Sequence, residues 1–174
     1  MNIPFVIFLF ITILAAVLIL AYTIQCDFQS IKASKQLIIA IENNDLNMAR
    51  DVITQHPKSV NTLPSSSPRW WQVLAEKPNV YYPLQESCYR GRYDIVKLLI
   101  ENGADCNLVW KGISSSKSPL MCAVLSESER NRDIIELLLM NGANITQKDD
   151  EDKTAYDYAV IIDNLELAEL LKPQ

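Results

Sequence analysis

Residues 82–107 read YPLQESCYRGRYDIVKLLIENGADCN, residues 118–146 read SPLMCAVLSESERNRDIIELLLMNGANIT, and residues 154–171 read TAYDYAVIIDNLELAELL. They are one motif written three times, and self-similarity of this kind commits a chain to a stack of like units, each buried only by its neighbours. An earlier copy, QLIIAIENNDLNMARDVITQHPKSVN at residues 36–61, keeps the apolar spacing but loses most of the Pro and Gly punctuation. The anchors Leu37, Leu84, Leu120 and Tyr156 recur 47, 36 and 36 residues apart. The surplus in the first interval is the segment 62–81, TLPSSSPRWWQVLAEKPNVY. In the second interval it is shared between the loop around Ser114, Ser115 and Ser116 and the turn from Ser126 to Arg132.

Each copy carries the signals for two short helices. Pro83 and Pro119 suit a first helical turn, where the missing N–H has no intrahelical partner. Gly91 supplies the positive φ of a tight reversal, and Gly103 and Gly142 do so just past the second helices. Within those second helices Ile95, Val96, Leu98 and Leu99, then Ile134, Ile135, Leu137 and Leu138, form an apolar stripe that one unit alone cannot bury. About three repeats are needed for stability, so four stand near the minimum. The terminal copies are expected to be caps, the last one turning Asp163, Glu166, Glu169 and Lys172 to solvent.

Pro83-Leu84, Ser118-Pro119-Leu120, Gly91, the run Asn102-Gly103-Ala104-Asp105-Cys106-Asn107 and the run Asn141-Gly142-Ala143-Asn144 together resemble the ankyrin-repeat family, whose period is 33. The resemblance covers roughly residues 35–172. It implies an all-α solenoid of helix-turn-helix units. The expected organisation is a degenerate N-capping repeat at 35–61, an inserted loop at 62–81, repeats at 82–113 and 114–148, and a C-capping repeat at 149–174. It also implies a protein partner, held by the hairpin loops and by the concave face of the first helices, with no shared catalytic site. The family's variable positions before the inter-helix turn fall on Glu42-Asn43, Tyr89-Arg90, Leu125-Ser126 and Ile161-Ile162.

Residues 1–26 are a different material, with no Asp, Glu, Lys or Arg among them. The run from Ile3 to Ile24 makes about 33 Å of helix at about 1.5 Å per residue, enough for a hydrocarbon core of about 30 Å. A helix apolar all round would otherwise need a large core to enclose it. The expectation is a single-pass membrane helix at 1–26, spanning with residues 3–24, and a juxtamembrane linker at 27–34. A cleaved signal peptide is disfavoured by the absence of a preceding basic residue, by the length of the run and by the lack of an A-x-A-like site. Gln25 before Cys26 fits a lipidation site badly. Lys32 and Lys35 just after the span favour a cytoplasmic repeat domain, with the extracytoplasmic side as the alternative.

The best partner-binding candidates are Tyr89 and Arg90, because aromatic and Arg side chains dominate interface hot spots; an ordinary solvated pair is the competing reading. Trp70 and Trp71 in the inserted loop suit a partner pocket or a membrane interface, against an extra helix WWQVLAEK folded back on the first repeat. Trp110 and Lys111 sit near the tip of the next connection, where a hairpin of the family would contact its ligand, against a structural role for Trp110. A net charge of -5 offers no basic face to nucleic acid. No cofactor or small-molecule substrate is indicated. His56 has no second ligand at zinc spacing and, before Pro57 at an expected exposed repeat exit, is a poor site for a nucleophile's base, and Cys26, Cys88, Cys106 and Cys122 form no CxxC pair. The acidic run Asp149-Asp150-Glu151-Asp152 lacks the spacing of a calcium loop. Asn144-Ile145-Thr146 matches a glycosylation sequon at a repeat exit. The expectation is therefore a non-enzymatic, membrane-anchored scaffold for protein–protein interaction; the alternative is an inhibitor or immunity protein that blocks a toxic or lytic enzyme of the cell envelope.

Overall fold

The computed structural model describes residues 3–64, 81–109 and 116–172, with side chains from residue 12. Helix α1 runs Ile3–Asn43, 41 residues, or about 62 Å at about 1.5 Å per residue. No Pro or Gly lies between Phe5 and Asn43, so nothing in the sequence breaks it. Residues 27–34 thus differ from the expected linker: they continue the helix, and Ala33 and Ser34 are already buried in the repeat domain. Ser34 Oγ donates to the Thr62 carbonyl at 2.5 Å. The first repeat has no separate first helix, because the C-terminal third of α1 serves as one.

The other helices come in pairs. Helix α2 (Leu46–Gln55) completes the first repeat and is followed by a 3-10 segment, Pro57–Asn61. Helices α3 (Pro83–Tyr89) and α4 (Tyr93–Glu101) form the second repeat, α5 (Pro119–Val124) and α6 (Asn131–Met140) the third, and α7 (Ala155–Ile161) and α8 (Leu165–Leu170) the last. The inner row runs α1, α3, α5, α7, each packed on the next, and α2, α4 and α6 form the outer row behind it. The described residues contain only helices, turns and loops.

Starts and stops follow from the residues present. Ser118 Oγ accepts from the Met121 N–H, and Thr154 both accepts from the Asp157 N–H and donates its own N–H to Asp157 Oδ2 at 2.7 Å, a reciprocal cap. Helices α4 and α6 end on Gly103 and Gly142, both at φ +82, with the following alanine N–H returning to Leu99 and Leu138. In three of the four repeats the reversal between paired helices also uses a left-handed residue. Gly91 supplies it at φ +66, while Asn44 at +54 and Asp163 at +56 do so in the first and last copies. Asn and Asp are the side chains that tolerate that region best.

Leu37, Leu84 and Leu120 are buried where the repeat anchors were expected, and Tyr156 packs half-buried against the same core. The stripe Ile95, Val96, Leu98 and Leu99 is buried throughout, as are Ile134, Ile135 and Leu138. Burying one such aliphatic side chain is worth about 1.5–3 kcal/mol, so the stripes are the main cohesive force between repeats.

A second, polar seam joins the repeats at their loop end. Asn61 Nδ2 donates to the Gly103 carbonyl at 2.8 Å while its Oδ1 accepts from the Asp105 N–H at 2.9 Å. One repeat on, Asn107 Nδ2 donates to the Gly142 carbonyl at 2.9 Å and its Oδ1 accepts from the Asn144 N–H at 2.7 Å. One amide thereby pins each repeat exit to the next.

Candidate partner-binding surface

The inner helices all point their C-terminal ends the same way, so the positions before each reversal form one edge. Tyr89 is 48% exposed there and stands 6.2 Å, ring centre to ring centre, from Tyr81. Arg90 lies beside it, its Nε 2.5 Å from Glu86 Oε1 and its Nη2 3.1 Å from Glu42 Oε1 on α1. Glu42 and Arg90, variable positions of adjacent repeats, are thus brought together as an ion pair. Exposed pairs of this kind contribute about 0–1 kcal/mol to stability. Their effect here is positional: they hold Arg90 beside Tyr89 along the edge.

Further along the same edge, Leu125 is half-buried, Ser126 is buried, and Ile161 and Ile162 are exposed. The last repeat differs from a purely polar cap. Asp163, Glu166, Glu169 and Lys172 are exposed as expected, but so are Val160, Ile161, Ile162 and Leu165. Val160 holds the position of Val124 one repeat earlier, which is wholly buried in the helix that α7 packs against. Among the described residues no further helix packs on the other side of α7. An open groove of about 450 Å³ runs along that side, lined by Asp152, Lys153, Tyr156, Asp157, Val160 and Ile161.

Two features of this end were not anticipated from the residues. Arg130 stacks its guanidinium 3.9 Å from the Tyr93 ring centre and sits within 3.8 Å of Asp94 and 3.5 Å of Asp133, clamping the third repeat to the second. The longer turn of the third repeat also folds over Gly91: a side-chain carbon placed there would stand 2.1 Å from Ser128 Cβ.

The acidic run belongs to the opposite, loop end. Asp149 closes its own turn, accepting from the Glu151 and Lys153 N–H groups at 2.9 and 3.0 Å and from the Tyr158 hydroxyl at 2.5 Å. Burial pushes the Asp149 carboxyl up, but these hydrogen bonds together with Lys117 outweigh it and hold it below the usual carboxylate range. Lys117 and Lys153 flank the Tyr158 ring at 5.2 and 5.9 Å. Among the described residues no group of His, Cys, Asp and Glu is arranged to hold a metal. Cys88, Cys106 and Cys122 are buried free thiols, and burial raises all three, Cys122 to about 12. Trp70, Trp71, Trp110 and Lys111 lie outside the described residues.

Comparison with known families matches residues 37–149 to ankyrin repeats, in three copies. Among curated proteins the chain is similar to one named ankyrin repeat protein L371, of Acanthamoeba polyphaga mimivirus, with 29% identity over 131 residues. That match takes in 75% of this chain and 15% of the mimivirus protein, so the chain spans a small fraction of that relative's length.

Proposed function

We propose that this chain, which belongs to the ankyrin-repeat family, holds a partner-binding surface at a membrane. Ankyrin repeats imply protein–protein interaction, and the family is generally a non-enzymatic binding module. The reading proposed here is a single-pass scaffold whose repeat domain engages another protein through the edge at Glu42, Tyr89 and Arg90.

The observation that carries the membrane part is the state of α1. Its side chains from Ile13 to Ile24 are exposed all round, among them Val17 at 56%, Leu18 at 61%, Ile19 at 65% and Leu20 at 60%. A soluble domain does not leave a contiguous apolar surface of this size in water, and the uncharged run is long enough to cross a bilayer. A cytoplasmic side for the repeats is supported by Lys32 and Lys35, both exposed at the base of the domain, and by three free buried thiols suited to a reducing compartment.

The test is topology combined with capture. A C-terminal tag protected in intact cells, with crosslinked membrane or cytosolic proteins recovered, is the expected result. An accessible tag that recovers one stoichiometric hydrolase would replace the scaffold with an inhibitor of an envelope enzyme.

A further inference from the structure

The N-terminal ends of α3, α5 and α7 all lie at the loop end of the stack, as does the point where α1 enters it. Ser34 bonds Thr62, where the chain leaves the first repeat, and the pairing of Glu42 with Arg90 fixes α1 parallel to α3 at the other end. Helix α1 therefore leaves the repeat domain through the loop end and continues, without a break, into its apolar half. The reversals at Asn44, Gly91 and Asp163 lie at the far end.

We propose that the repeat stack stands on the membrane with its loop end toward the headgroups and its reversal edge pointing away, held in that attitude by α1 acting as a rigid post. The proposal rests on the membrane reading of α1. Between Cys26, where the uncharged run ends, and Glu42, helical rise places the binding edge about 24 Å above the end of the span. The usual helix tilt of about 20° shortens that by only about 1.4 Å. A flexible linker would let the edge sweep down to the surface, but a continuous helix does not. The edge therefore fits a partner whose bound segment stands clear of the bilayer, such as a folded domain of a peripheral or integral protein, and does not fit a stretch immediately flanking a membrane span.

The experiment uses the full chain in liposomes carrying acceptor-labelled headgroups, with Cys26→Ser as background, since the other three cysteines are buried. A donor is placed by Asn47→Cys, at the reversal end, or by Lys58→Cys, at the loop end; both positions are exposed and lie in the repeat nearest α1. The ten residues of α2 separate the two by about 15 Å along the post. Energy transfer is expected to be higher from residue 58 than from residue 47. Inserting Gly-Ser-Gly-Ser-Gly between Gln29 and Ser30 is expected to erase most of that difference, with the helical circular dichroism of the repeats unchanged. Equal or reversed transfer in the uninterrupted chain would overturn the orientation. A difference that survives the insertion would overturn the rigid post. A chain that does not float with the liposomes would sink the membrane reading itself, a result separate from either.

Discussion

Gly91 is the position where this fold should be least forgiving, for two separable reasons. Its φ of +66 lies in the left-handed region, where a side-chain-bearing residue is strained by about 1–2 kcal/mol, partly offset by about 0.4–1 kcal/mol from a stiffer unfolded chain. The added carbon would also meet Ser128 Cβ at 2.1 Å and Ser128 Oγ at 2.4 Å, well inside contact distance. Relieving that contact means moving the third repeat's turn, a form of overpacking that costs about 1–3 kcal/mol. Gly103 separates the two contributions, because it has φ +82 with nothing within 4 Å of an added carbon. Gly103→Ala is therefore expected to cost about 1 kcal/mol, and Gly91→Ala about 2–4 kcal/mol. Adding Ser128→Gly to Gly91→Ala should recover most of the excess, since it deletes the atoms that clash. Urea unfolding of the full chain in mild detergent, followed by far-ultraviolet circular dichroism, measures all four proteins. Equal losses for the two glycines, or no recovery in the double variant, would refute the close-approach argument.

Removing the amide seam with Asn107→Ala hands the exposed Asn144 N–H and Gly142 carbonyl back to water and should cost about 0.5–1.5 kcal/mol in the same assay; an unchanged midpoint would count against the seam. Leu99→Asp or Leu138→Asp puts an unpaired charge into a wholly buried stripe and should abolish the cooperative transition, whereas an unaltered melting temperature would defeat the register. Tyr89→Ala and Arg90→Ala should change stability by less than about 1 kcal/mol yet weaken a captured partner by about 1 kcal/mol or more, read as binding affinity; unaffected capture by both would move the binding surface elsewhere. The Asp149 and Asp157 carboxyls are held below their ordinary 3.8, so their contribution is present above that value and should fade as acid titrates them, while Cys88 and Cys122, raised above 9, contribute below pH 9 and lose stability as alkali deprotonates them. A pH series of unfolding midpoints should fall at both extremes, and a midpoint flat from pH 9 to 12 would contradict the thiol burial.

The helical stack was legible because its signals are local. Pro83, Pro119, Gly91, Gly103 and Gly142 each mark a backbone conformation that few other residues adopt, and the buried stripes recur at helical spacing. The degenerate first copy hid its signals only in part. Asn44 replaces the expected glycine at the reversal, and Asn61 forms the same bridging amide as Asn107, although the surrounding residues differ. An asparagine at each repeat exit was visible, but its two-sided bonding depends on the neighbouring repeat and cannot be read from one copy. The expected linker at 27–34 failed for a related reason. The apolar run ends at Cys26, but Ile31, Lys32, Ala33, Ser34 and Lys35 carry no helix breaker, so the helix continues into the repeat domain.

Surface chemistry was harder to read because it is made between repeats. Tyr89 and Arg90 stand out from their place before a turn, yet the residues that fix Arg90 come from its own helix and from α1, 48 residues away. The Arg130 clamp on Tyr93 likewise joins an insertion in one repeat to the first turn of the outer helix before it. Charge and aromatic content at those positions marked them as exposed, but only the stacking offset decides which meet. The same logic bears on the last repeat. Its polar residues identified a cap, while Val160 is apolar because its position is that of a residue which, one repeat earlier, lies under a neighbour. A repeated motif carries the pattern of an interior unit into the terminal one, so an end face left uncovered retains part of the stickiness of the stack that precedes it.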